Sequence, residues 1–229
     1  MNRKIMLAAL AFDLIYAQAQ AVEVTGDEVL LSYSAFPGNA DVSKASLTGG
    51  LELGISNALS LQIDAGVNSF NLRDETGSSV AIHAIHHFDD ALSIGGFYGV
   101  DRLAGTSTNV YGIEGGYKQL VFGVEGYVAQ AENSRLSATV FGIEGTVATS
   151  EGFYIGASVD RIDFDGGSGL TRFGVTGNYQ FSPYSGMYAE FGRVTGDAYG
   201  FSGSELYVGV GASFSLGANR GTTFGRRSV

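Results

Sequence analysis

From Glu28 onward, apolar and polar residues alternate with a period of two, the signature of strands whose two faces meet different surroundings. The segment before the end of the chain shows it most plainly. Leu206, Val208, Val210, Ala212, Phe214 and Leu216 share one face, and Glu205, Tyr207, Gly209, Gly211, Ser213 and Ser215 share the other. A soluble sandwich also alternates, but its polar face meets bulk water. Here that second face is mostly glycine with isolated acids, which suits the crowded or water-filled interior of a barrel. Turn signals between the alternating runs predict twelve strands: 28–36, 44–55, 59–72, 78–88, 91–103, 107–118, 120–132, 135–148, 152–164, 169–181, 186–199 and 203–217. Most are long for a soluble sheet and match tilted membrane-crossing strands, which need about 9–11 residues within the bilayer.

The connections divide into two sets. Five lie near Ser56-Asn57, Asp89-Asp90, Lys118-Gln119, Ser150-Glu151 and Ser182-Pro183. Six lie near Gly38-Asn39, Asp74-Glu75, Gly105-Thr106, Asn133-Ser134, Asp165-Gly166-Gly167 and Gly200. An even number of strands puts both termini on one side, with five turns there and six loops opposite. The expected fold is therefore all-β, a transmembrane antiparallel up-and-down barrel of twelve strands, with ten or eight as alternatives. Val110-Tyr111-Gly112-Ile113-Glu114-Gly115 recurs as Val121-Phe122-Gly123-Val124-Glu125-Gly126 and as Val140-Phe141-Gly142-Ile143-Glu144-Gly145, with a looser copy at Arg172–Gly177. The spacing is irregular, so this is repetition between hairpins and not a solenoid array.

Composition sharpens the reading. The chain has 229 residues, with 35 glycines, two prolines, no cysteine and no tryptophan. Without disulfides an exported protein must be held by something else, and a closed ladder of backbone hydrogen bonds in lipid serves. The first residues read as a signal peptide, residues 1–21. Asn2, Arg3 and Lys4 form a short basic start, Ile5 to Tyr16 is mostly apolar around Asp13, and small residues prepare cleavage after Ala21. Removing this segment takes Arg3, Lys4 and Asp13 with it, so the formal charge of −10 becomes −11. Such an acidic chain is a poor partner for nucleic acid and a better one for cations. Residues 22–217 form the barrel, and 218–229 a polar basic tail with Arg220, Arg226 and Arg227. That tail is expected to be unstructured, or to touch anionic lipid or a periplasmic partner.

With signal peptide, alternating strands and aromatic-Gly-aliphatic-polar-Gly segments, the mature chain resembles the outer-membrane β-barrel and porin-like proteins of Gram-negative bacteria. The resemblance implies an outer-membrane location, contact with outer-membrane lipid, and delivery by the barrel-assembly machinery. It covers the architecture of the whole mature chain and carries over no specific site. Two features depart from it. The last strand is followed by a tail instead of ending the chain on an aromatic, and the interfacial belts must be built from Tyr and Phe alone.

Alternation directs Glu52, Asp64, Asp101, Glu114, Glu125, Glu144, Asp160, Glu190 and Glu205 inward as lumen-lining acids, with Arg172 as the clearest inward base. Glu114, Glu125 and Glu144 are expected at equivalent places on three successive strands. An excess of carboxylates in a bore favours cations over anions. The competing expectation is a filled interior in which Arg172, Arg102 and Arg193 neutralise these acids. Twelve strands about 4.8 Å apart and tilted about 40° close to a backbone diameter of about 24 Å. Side chains then leave a bore of at most about 10 Å, widened by inward glycines and narrowed by Tyr127, Tyr154, Tyr188 and Tyr207. The loops read as short, which argues against a large plug.

The chemistry-bearing residues nominate no enzyme, cofactor or metal. His83 and His87 share a face but lie about 13 Å apart along the strand, and His86 points the other way. The expectation for all three is solvated or interfacial imidazole. The glycines of Asp163–Gly169 belong to a loop turn. No Gly-x-Ser-x-Gly elbow is present, and no spacing selects a pair of glycosidase carboxylates. The functions open to such a chain are a passive channel for small hydrophilic, preferentially cationic solutes, or a structural, surface-interacting barrel with a filled lumen.

Overall fold

A computed structural model describes residues 23–198, 201–216 and 221–225. The signal-peptide segment 1–21 and its cleavage position lie outside them. Twelve antiparallel strands run β1 (Glu23–Phe36), β2 (Asn39–Ser56), β3 (Leu59–Phe70), β4 (Glu75–His87), β5 (Leu92–Leu103), β6 (Thr106–Lys118), β7 (Phe122–Glu132), β8 (Ser137–Ser150), β9 (Phe153–Phe164), β10 (Gly169–Ser182), β11 (Ser185–Ala198) and β12 (Phe201–Phe214). Each pairs with its sequence neighbours, and β1 pairs with β12, so the sheet closes on itself. Closure leaves no unpaired edge, the condition for burying a sheet in lipid.

The strands extend beyond the sequence expectation most at the starts of β1 and β2. β1 begins at Glu23 and β2 at Asn39, where 28 and 44 were expected. On the parity that puts Leu47 and Leu51 on the outer surface, this stretch carries Asp41 and Ser43, while Val42 falls on the opposite parity, so the apolar-outward alternation of the rest of β2 does not mark it. Backbone pairing continues regardless, Ala35 opposite Ser43 and Phe36 opposite Asn39. Near the other end of β1 a register shift between Val24 and Gly26 disturbs the period as well.

Turn chemistry fixes the registers. Ala104 and Gly105 both take positive φ, 49° and 77°, the backbone of a two-residue hairpin whose twist matches the flanking strands. A single turn of 3-10 helix, Asn71–Arg73, ends on Asp74 at φ 49° and links β3 to β4. At the opposite end of the barrel, the Asp89 carboxylate accepts the N–H groups of Ala91 and Leu92 at 2.8 and 2.7 Å. These bonds favour the ionised form and hold the Asp89 carboxyl below the usual aspartate range.

The distribution of side chains is inside out. Ile113 is 66 % exposed on the outer surface, whereas Gln62, Glu52 and His83 inside are 0 % exposed. Leu31, Leu47, Ile63, Val67, Ile82, Ile94 and Ile143 share that outer surface. Aromatic pairs gather near the end where β1 begins and β12 stops: Tyr117 with Phe122, and Tyr179 with both Phe153 and Phe181. An apolar exterior around a polar core is the distribution expected of a barrel solvated by lipid.

The closing seam is the shortest. β1 and β12 match only Val29–Ala35 to Val208–Phe214, while β11 and β12 match along their whole lengths. Where the seam stops, the Asp27 carboxylate accepts the Ser215 hydroxyl at 2.6 Å and the Leu216 N–H at 2.5 Å. This ends the last strand beside the mouth of the lumen.

Candidate functional site

The interior has two polar walls. On the wall made by β10, β11 and β12, Arg172 donates from Nη2 to both oxygens of Glu190 at 2.7 and 2.8 Å, and from Nε to the Tyr207 hydroxyl at 2.8 Å. Tyr207 in turn donates to Glu190 at 2.5 Å, and the guanidinium lies over its ring, 5.0 Å from the centroid. Asp160 stands at 4.0 Å from Arg172 and accepts the Tyr127 hydroxyl at 3.1 Å. This cluster has room because Gly174 and Gly192 sit against Tyr207, where a Cβ would overlap the ring or its hydroxyl. A planar guanidinium gripping a carboxylate through two bonds is geometrically specific as well as strong.

The facing wall, β2 to β6, holds a buried acid–imidazole–acid bridge. His83 Nδ1 lies 2.6 Å from Glu114 Oε1, and Nε2 lies 3.1 Å from Asp64 Oδ2. The second approach is out of line for a hydrogen bond, so Asp64 acts there through charge. Gln62 donates to both oxygens of Asp64 at 3.0 Å. Glu114 reaches His83 from β6 across β5, and can do so because its partner in register is Gly95, where a Cβ would crowd its carboxylate. Nearer the mouth, His87 is held between the Ser60 and Ser93 hydroxyls, both at 2.8 Å, with Glu52 at 3.6 Å.

The tail lies on this second wall. Gly221–Gly225 returns into the barrel, and the Phe224 ring is buried at 1 % exposure. Gln62 grips the Phe224 backbone from both sides, accepting its N–H at 3.2 Å and donating to its carbonyl at 2.8 Å. Glu52 accepts the Thr223 N–H at 2.7 Å, and Glu125 accepts the Gly225 N–H at 3.0 Å. The expectation of a tail outside the barrel is therefore corrected for these five residues; 218–220 and 226–229 lie outside the described residues. The physical reason is that backbone N–H groups find carboxylate acceptors inside, and the one aromatic of the tail finds an apolar seat.

Between the walls runs a cavity of about 1660 Å³ that opens at the end where β1 begins and β12 stops. Glu52, Glu125, Glu144, Asp160, Arg172 and Glu190 line it, together with the tail. Asp64 and Glu114 face inward but are sealed against His83 and Gln62, so they are off the cavity wall. Asp101 takes the inward parity beside Ser79 near the far end, and Glu205 is exposed at that end close to Gly38. Neither lines the cavity. Glu125 and Glu144 are direct cross-strand partners, whereas Glu114 stands opposite Tyr127, two residues further along. The three are thus not equivalent. Arg102 and Arg193 follow the outward parity of their strands, so of the three arginines only Arg172 meets interior acids.

The parts played by three residues escaped the sequence reading. Gln62, His83 and Phe224 carry no motif, and the contacts among them depend on strand register and on the return of the tail. The expectation of solvated imidazole is wrong for His83, which neighbouring strands enclose. His86 does face outward, edge-on to Phe88 at 4.7 Å between ring centroids.

The far part of the interior is different again. Phe97, Val110, Ala129, Ala131 and Val140 pack together with Tyr127 and Ile162 as an apolar layer beyond the polar walls. Similar architecture is known. A KdgM porin superposes with a TM-score of 0.63 at 14 % identity, over 83 % of this chain and 99 % of that one. A NanC porin gives 0.64 at 12 %, over 83 % and 100 %. The chain has the fold of the outer-membrane porins. The COG4313 outer-membrane channel from Pseudomonas putida F1 shares it too, with a TM-score of 0.56 at 12 % identity over 87 % and 98 %. Neither a family model nor a curated protein matches the sequence. The porin fold supplies the frame; the two polar walls, the apolar layer and the returning tail are read from this chain itself.

Proposed function

We propose that the protein is a passive channel of the Gram-negative outer membrane, admitting small hydrophilic solutes with a preference for cations. The observation that carries the proposal is the charge of the cavity wall. Among the described residues, ten Asp and Glu line it, and Lys118 and Arg172 are the lysine and arginine that line it with them. Arg172 is committed to Glu190, and among the described lining residues acids outnumber lysine and arginine. Carboxylates around a narrow aqueous bore raise local cation concentration over about 8 Å at physiological salt. The likeness to KdgM and NanC porins supports the barrel frame on which this reading stands. Residues 1–21 act as the export signal in this reading, and the barrel-assembly machinery inserts the chain with both termini in the periplasm.

Vesicle swelling tests the reading. Proteoliposomes should swell faster in a small amine-bearing solute than in a carboxylate-bearing solute of equal size. Glu28→Gln/Glu144→Gln removes two cavity carboxylates that take no part in the tail contacts described above, and should narrow that difference while leaving assembly intact. Equal rates for both solutes in the parent protein would end the cation preference.

A second reading has its own support. The apolar layer from Phe97 to Val140 fills part of the far interior, as expected of a structural barrel that acts through its six outer loops. Complete absence of swelling with any solute would favour it.

A further inference from the structure

The tail lies in a track prepared for it. Gly221 passes Gly26 on β1, Thr222 passes Gly50 on β2, and the Phe224 ring lies against Gly95 on β5 and Gly116 on β6. A Cβ at Gly26 would stand 2.7 Å from the Gly221 carbonyl oxygen, and one at Gly50 would stand 2.9 Å from Thr222 Cγ2. A Cβ at Gly95 would stand 3.0 Å from the Phe224 ring. Between these glycines, Glu52 on β2, Gln62 on β3 and Glu125 on β7 take backbone groups of Thr223, Phe224 and Gly225. The segment therefore crosses the inner wall from β1 to β7, transverse to the strands.

The pattern is that of a peptide site and not of incidental contact. Small residues admit the approach of a second backbone, and a side-chain amide that both donates to and accepts from one residue recognises a peptide unit whatever its side chain. The aromatic seat between Gly95 and Gly116 then selects Phe224. Gln62 is fully buried and divided between Asp64 and the tail, so the Asp64–His83–Glu114 bridge holds the recognition amide in place.

We propose that the lumen contains a peptide-binding groove whose occupant is the chain's own segment Gly221–Gly225, and that this segment is a removable constriction of the channel. The inference rests on the channel reading above. A chain in extended form is about 5 Å wide, comparable to half of a bore of about 10 Å, so its departure should raise conductance by about twofold or more. Because the segment is tethered close to its groove, its effective concentration is on the order of millimolar. A free peptide must reach similar levels to replace it.

Two measurements test the proposal separately. The first reads docking without conductance. The chain has no cysteine, so Gly50→Cys with Thr222→Cys introduces a single possible disulfide, which should form on mild oxidation of the folded barrel and be visible by mass spectrometry. Thr222→Cys paired with Ser202→Cys, on β12 outside the track, should not link. The second compares single-channel conductance in planar bilayers for the full chain, for Phe224→Ala, for Gln62→Ala, and for a chain ended after Leu216, each first shown to be folded by its heat-dependent gel mobility. The shortened chain should conduct about twofold more or better, and Phe224→Ala should move in the same direction. A synthetic peptide of residues 217–229, added at about 1 mM, should lower conductance of the shortened chain from the side bearing the termini and not from the other. Failure of the 50–222 disulfide, or a shortened chain that conducts like the full one, would overturn the proposal. Silence of every form while the disulfide still forms would overturn the channel reading, and the constriction with it.

Discussion

His83 is the residue on which the interior depends most directly, because two carboxylates from different strands converge on it. Replacing it with Ala leaves Asp64 and Glu114 buried with their common neighbour gone. Removing one member of a buried charged group typically costs about 3–5 kcal/mol. The expected result is a clear fall in the urea midpoint of barrel unfolding, followed by the loss of heat-modified gel mobility, with Glu114→Gln less severe. Asp89 gives a smaller, pH-dependent case at the surface. Its carboxyl is held below the ordinary value by the Ala91 and Leu92 N–H bonds, so the folded state gains stability that is present above the unfolded pKa. That gain fades as pH falls through the lower folded value. Exchange protection of the Ala91 and Leu92 amides should decline on acidification through that range, and Asp89→Ala should abolish the dependence. At this scale parity was legible: alternation alone places Ile82 outside and His83 inside. The partners of His83 were not, because Glu114 reaches it only through a register that sets Gly95 opposite Glu114.

The strands were legible wherever lipid contacts one face, and less so where they leave the lipid. β10, from Gly169 to Ser182, alternates almost throughout and its bounds follow from the pattern. At the start of β2 the outward positions are polar, Asp41 and Ser43, so no apolar outward face marks the stretch, yet the ladder to β1 continues. The turns follow the same logic of two ends. In the proposed orientation the β9–β10 loop, with Gly166 and Gly167 at φ 120° and 88°, lies outside the cell. The β8–β9 turn with Gly152 lies in the periplasm. An epitope inserted at Asp165–Gly166 should be reached by antibody on intact cells, and one inserted at Ser150–Glu151 only after permeabilisation. Reversed accessibility would invert the proposed topology. The tail was the least legible element. Phe224 is its one aromatic, and the place of Gly221–Gly225 is set by acceptors on β2, β3 and β7, which no local pattern encodes.

For the molecule as a whole, the fold is a closed sheet with an apolar outside and a cavity along one wall of which the chain's own tail lies; the proposed function adds that the carboxylates lining this cavity make it acidic. The circular dichroism spectrum in detergent should be strand-dominated, since the described residues contain a single turn of helix. The central claim, cation preference imposed by the cavity acids, is tested most directly by the reversal potential of the channel in a planar bilayer under a KCl gradient. It should be measured on the full chain and on the chain ended after Leu216. Both should reverse at a potential of the sign set by cation flow, with the shortened chain passing more current. The preference should weaken as both solutions are raised towards 1 M, where screening acts within about 3 Å. A reversal potential at zero, or one of the sign set by anion flow, would contradict the account.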